Sequence, residues 1–81
     1  MNKEKLNKLI ESIKKEKLSR KYLHSISYFE ASNQLRLEWL SNKNIFKKFI
    51  KKMVQENQTI KDGYFVKNDG SCNAEIVLIL N

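Results

Sequence analysis

Apolar residues in the stretch NIFKKFIKKMVQENQ (44–58) recur at helical spacing. Wound at about 100° per residue, Ile45, Phe46, Phe49, Ile50, Met53 and Val54 fill one continuous half of a cylinder. Lys47, Lys48, Lys51 and Lys52 occupy the other half, with no apolar residue among them. Asn44 suits the N-cap, because its side-chain oxygen can accept from an unpaired first-turn N–H. A helix so divided needs an apolar surface to lie on. A second amphipathic helix is predicted over about 3–17, where Leu6, Leu9, Ile10 and Ile13 form one stripe. Glu4 with Lys8 and Glu11 with Lys15 stand four apart, acid before base, which supports its exposed side. Ser19 is placed as the N-cap of a short helical turn carrying Tyr22 and Leu23.

From Ile26 the period changes to two. Ile26 and Tyr28 face one way, Ser27 and Phe29 the other. Ser32, Asn33 and Gln34 make a turn, after which 35–39 alternates apolar and charged residues. The pattern predicts a hairpin with Leu35, Leu37 and Trp39 toward the core. Arg36 and Glu38 then lie on the open side, where cross-strand pairing is available to them. Beyond Gln58, Asp62-Gly63 and Asn68-Asp69-Gly70 read as turns, with 64–66 a brief strand or helical turn between them. The final run EIVLIL (75–80) is rich in β-branched residues and reads as a central strand buried on both faces. The predicted fold is α+β in the order α-α-β-β-α-β. Its two main helices pack on one face of a small mixed sheet.

Composition narrows the class. With 81 residues, no proline, two glycines and no repeat, the chain is expected to be one domain spanning 1–81. A chain this short buries only about 60–65% of its unfolded surface, so every element must share one core. Cys72 is the sole cysteine, which rules out an intrachain disulfide framework and fits a reducing cytoplasm. The longest apolar run (76–80) is far shorter than a membrane span, and the N-terminal stretch lacks a signal peptide's apolar segment. A soluble cytoplasmic domain with no membrane partner is expected.

Net charge is +7, unevenly placed. Residues 1–24 hold eight Lys/Arg against three Glu, and 41–58 hold five Lys against one Glu, while the strand-like segments each sum to −1. Helix faces that gather positive charge attract polyanions: nucleic acid, acidic protein or anionic lipid. A lysine-rich helix exterior also serves simply as a solvated face, and both readings stand.

Reaction chemistry finds little footing. His24 and Cys72 are each the only residue of their type, with nothing at metal-ligand spacing around them and no pattern that would orient a Cys–His pair. Cys72, between Ser71 and Asn73, reads as a small turn residue. Phosphate-binding glycine loops are lacking. Glu30 and Glu38 could face each other across the hairpin, but nothing else supports acid–base work. Trp39 could serve as a stacking platform for unpaired bases, yet it shares its face with Leu35 and Leu37, which favours the core. Tyr22, Tyr28 and Tyr64 are freer but do not cluster as on an RNA-recognition sheet. No enzyme, cofactor or metal is expected.

The segments LNKLIESIKKEKLSRKYL, SISYFEASNQLRLEW and NIFKKFIKKMVQENQ, followed by the run EIVLIL, give the order helix, short helix, hairpin, helix, strand. That order resembles the KH-like modules of bacterial replication proteins: the C-terminal domain of the DNA polymerase III clamp-loader subunit tau, and the similar N-terminal domain of the initiator DnaA. Those modules usually carry a tryptophan in the first helix, where this chain has Leu6. A G-x-x-G loop is also lacking, which disfavours a true RNA-binding KH domain. The resemblance implies a docking module of the replication machinery, with a polymerase or helicase-loading component as partner and DNA contact as a secondary role. The alternative is a freestanding basic nucleic-acid-binding protein. For either DNA role the candidate residues are Lys47, Lys48, Lys51 and Lys52.

Overall fold

The computed structural model describes residues 2–40, 43–67 and 73–81. The element order is α1 (Lys3–Lys15), α2 (Lys17–Tyr22), β1 (Leu23–Phe29), a 3-10 turn (Glu30–Ser32), β2 (Gln34–Leu40), α3 (Lys43–Glu56), β3 (Ile60–Lys67) and β4 (Asn73–Leu80). The strands form one sheet in the order β1-β2-β4-β3. Every neighbouring pair is antiparallel.

The fold is α+β, and its helices lie on one sheet face, but the sheet is not mixed. Had α3 led straight into the last strand, that strand would run parallel to β2. Instead β3 reverses the chain, and β4 returns between β2 and β3. The stretch expected as a brief element at 64–66 is thus part of an eight-residue edge strand. Asp62 and Gly63 lie within it and make no turn. The turn expected at 68–70, and Cys72, lie outside the described residues.

One face of the sheet carries the core. Leu35, Leu37 and Trp39 of β2 and Ala74, Ile76, Leu78 and Leu80 of β4 meet Leu9 and Ile13 of α1 and Phe46, Phe49 and Met53 of α3. The register explains their convergence, since Leu35 pairs with Leu78, Leu37 with Ile76 and Trp39 with Ala74. Trp39 is fully buried at the centre, with ring centroids 4.6 Å from Phe49, 5.6 Å from Phe46 and 6.4 Å from Tyr22. This is a core position rather than a platform.

Among the described residues no helix lies on the other face. Arg36 reaches Glu75 at 3.6 Å, and the Ser25 hydroxyl donates to Glu38 at 3.1 Å, so the charges expected on the open side are paired across strands. Val77 is nonetheless buried there, between its cross-strand neighbours Arg36 and Tyr64. The largest exposed apolar side chains, Phe29, Leu40, Tyr64 and Val66, all fall on this face by register.

Two helix-cap expectations change, and one cap is new. Asn2 caps α1, its side chain accepting from the Glu4 N–H at 2.7 Å. Glu16 stands at both the C-cap of α1 and the N-cap of α2, leaving Ser19 inside α2 and buried. Asn44 likewise sits inside the first turn of α3, which starts at Lys43. Its cap position, residue 42, is outside the described residues.

Candidate binding face

The lysines of α3 emerge from a helix whose core side is Phe46, Phe49 and Met53, all at most 1% exposed. Opposite them Lys47, Lys48, Lys51 and Lys52 are all exposed, as the helical spacing requires. They do not form one uniform stripe, because the neighbours of α3 differ on its two flanks.

On the flank toward α1 and α2, the Lys52 ammonium donates to Glu16 Oε2 at 2.9 Å. That hydrogen bond, reinforced by the charges of Glu16 and Glu56, holds the Lys52 ammonium above the ordinary lysine value. On the opposite flank, Lys47 and Lys51 stand over a trough of about 470 Å³ between α3 and β3. Ile50 and Val54, both half-buried, line it from the helix, and Gly63, Tyr64 and Phe65 from the strand. Lys48 points outward between the two flanks.

Positive charge continues across the helical layer. Lys8, Lys15, Lys17 and Arg20 surround an open hollow at the α1–α2 junction, with Glu11 and Glu16 on its rim. Thirteen of the sixteen Lys/Arg residues belong to the three helices, whereas positive and negative residues balance within the strands. A polyanion would therefore meet the helical layer, and the acids of the open sheet face would turn a phosphate backbone away.

The candidates for chemistry do not assemble. Glu30 sits in the turn at one end of the hairpin, whereas Glu38 pairs with Ser25 near the other. His24 is exposed on β1, and among the described residues no three His, Cys, Asp or Glu side chains gather as a metal site. Tyr22 packs on Trp39, and the Tyr28 hydroxyl donates to Asn33 Oδ1 at 2.7 Å, leaving Tyr64 as the exposed one of the three. No helix among the described residues is long and apolar enough to cross a membrane.

The trough beside β3 is the feature the sequence pattern did not reveal. The available signal was slight: Tyr64-Phe65-Val66 is strand-like, but Lys61-Asp62-Gly63 breaks the alternation ahead of it and the register slips between Ile60 and Asp62. Over the described residues the architecture is two-layer α+β, with three α-helices on a four-stranded antiparallel sheet. No protein-family model, curated protein or solved structure matches the chain.

Proposed function

We propose that this chain is a non-enzymatic docking module that receives an acidic partner on its helical layer. The observation that carries the reading is the segregation of charge: the helices are strongly basic, and the strands are balanced. A protein partner fits better than a nucleic acid. Lys52 is engaged by Glu16, and Lys47 and Lys51 flank an apolar trough, so the α3 face combines charge with apolar contact area. Phosphate backbones use the first of these and gain little from the second. The resemblance of the sequence order helix, short helix, hairpin and helix to the replication modules supports a place in the bacterial replication machinery, with a polymerase or helicase-loading component as partner. Against it, β3 stands between α3 and the last strand, where that order has none.

A second reading, weak and sequence-independent DNA contact, is favoured by the exposed Lys47, Lys48 and Lys51. The experiment measures binding of duplex DNA and of poly-glutamate across a salt series, for the parent and for a variant with Lys47, Lys48, Lys51 and Lys52 changed to Gln. Three phosphate contacts give a log–log slope of about −3 for duplex DNA. Poly-glutamate binding that weakens in the variant supports acidic docking. Duplex binding that persists at physiological salt while poly-glutamate does not compete moves the function to nucleic acid. Equal binding by parent and folded variant makes the lysine face a solvated exterior.

A further inference from the structure

The four-stranded sheet ends at β3, and an edge strand offers backbone N–H and C=O groups along its outer side. Natural edges are usually blunted by bulges, charges or a covering element. At the opposite edge, β1 carries a register shift between Leu23 and Ser25. In β3 the irregularity lies at its start, between Ile60 and Asp62, and the pairing with β4 then runs regularly through Lys67. From Gly63 onward β3 is therefore a regular edge. The Gly63 N–H donates to the carboxylate of Asp62, a local acceptor that an incoming strand can replace.

Helix α3 lies along this edge and makes a trough of it. At Gly63 the approach is close, because a Cβ there would stand 2.8 Å from Ile50 Cγ2. Ile50 and Val54 form the apolar wall on the helix side, and Lys47 and Lys51 stand above them. Asp62 is the single acid on the lining, so the trough carries net positive charge.

We propose that the β3 edge and the α3 wall together bind an extended peptide segment of an acidic partner protein, which adds as a fifth strand beside β3. Main-chain hydrogen bonds to an open edge supply affinity in this mode, and alternate side chains supply specificity. Side chains on one side of the added strand enter the trough, where apolar groups meet Ile50 and Val54 and carboxylates reach Lys47 and Lys51. Those on the other side extend the open sheet face beside Tyr64 and Val66, both exposed. The favoured segment is thus short, free of proline, and mixed in apolar and acidic residues. The inference rests on the docking reading above and supplies its seat and the conformation of its partner.

The test uses the whole chain and a blocked heptapeptide in which valine and glutamate take turns at the odd positions and threonine fills the even ones. One side of the added strand then offers both apolar groups and carboxylates. Binding is followed by backbone amide NMR. Expected are saturable shifts confined to 63–67 and the facing turns of α3, with slowed exchange of β3 amides. A peptide with prolines at two adjacent central positions should not bind, since one of the two N–H groups removed faces β3 in either register. Changing Lys47 and Lys51 together to Glu should weaken binding by at least about tenfold. Lys48→Glu, on the outward side, should leave it nearly unchanged. No saturable shift at millimolar peptide, or shifts that the proline peptide reproduces, would overturn strand addition. If the heptapeptide fails but poly-glutamate binds the α1–α2 hollow or Lys48, the docking reading stands and this seat for it does not. If neither binds, both fail.

Discussion

Lys52 Nζ lies 2.9 Å from Glu16 Oε2, tying the exposed side of α3 to the junction of α1 and α2. The contact joins residues 36 apart in sequence and connects the helices at the surface, with Lys52 half exposed and Glu16 less so. The folded Lys52 value is raised above 10.5. Its stabilisation is therefore fully present below that ordinary value and is lost as pH rises through the raised one. Alkaline melts should show the parent losing slightly more stability across this window than Glu16→Gln. The difference will be small, because exposed ion pairs contribute little. Identical alkaline profiles would remove Lys52 as the responsible group.

Glu16→Gln also releases Lys52 for other anions. If duplex DNA touches the α3 face at all, this variant should bind it with a log–log salt slope steeper by about one. A slope unchanged from the parent would show that Lys52 stands outside the contacted surface.

Phe49 is 1% exposed and packs its ring edge-on at 4.6 Å from Trp39. Phe49→Ala should cost about 3–5 kcal/mol, a large share of the roughly 5–15 kcal/mol that holds a small domain. Lys48→Ala, on the exposed side, should leave the melting temperature almost unchanged. A Phe49→Ala variant melting within a few degrees of the parent would contradict the packing of α3 on the sheet.

Trp39 has no exposed surface and is bordered by Tyr22, Phe46 and Phe49. Its fluorescence should be blue-shifted, poorly reached by acrylamide and indifferent to single-stranded DNA. A response to nucleic acid would return Trp39 to the stacking role that its burial argues against.

Much of this fold was legible because burial leaves a period. The alternation at Leu35, Leu37 and Trp39 located β2 and its core face, and the unbroken run at Ile76–Leu80 located a central strand. The stripe in α3 located its buried side and hence the side of its lysines. What the pattern missed were relationships between elements. In sequence Gly63 reads as a turn residue, because glycine most often signals positive φ. Here its missing side chain instead admits Ile50 of a helix that the local sequence does not contain. Losing β3 turned an antiparallel sheet into an expected mixed one and hid the trough beside the edge. The pairing of Lys52 with Glu16 was equally invisible, since it depends on how α3 lies against α1 and α2.

Asn33 adopts left-handed φ 51°, ψ 52° and closes the hairpin turn. Its side chain accepts from the Tyr28 hydroxyl at 2.7 Å and donates to the Leu80 and Asn81 carbonyls at 3.3 and 3.1 Å. Asn33→Gly loses these bonds but keeps an unstrained backbone. Asn33→Ala loses the same bonds and adds a left-handed penalty of about 1–2 kcal/mol. The alanine variant should therefore melt below the glycine one. The reverse order would mean that the backbone conformation contributes nothing at this turn.

The closeness of α3 to β3 is tested at Gly63 itself. A methyl added there would meet Ile50 Cγ2 at 2.8 Å and Leu78 Cδ2 at 3.0 Å, so a neighbour must move. Replacing a strand glycine by alanine would otherwise gain about 0.5–1 kcal/mol from backbone entropy. Overpacking of this kind typically costs about 1–3 kcal/mol, which outweighs that gain. Gly63→Ala should therefore destabilise the parent. In an Ile50→Ala background the obstructing methyl is gone, and the same change should be neutral or stabilising. Ile50→Val keeps a Cγ2 methyl and should give no relief. Denaturant melts of the parent and the three variants of the alanine cycle, with the valine pair as control, read the coupling directly, expected at about 1 kcal/mol or more. Equal cost of Gly63→Ala in every background would place the obstacle at Leu78 or the strand backbone, and α3 would not be what requires a glycine at this position.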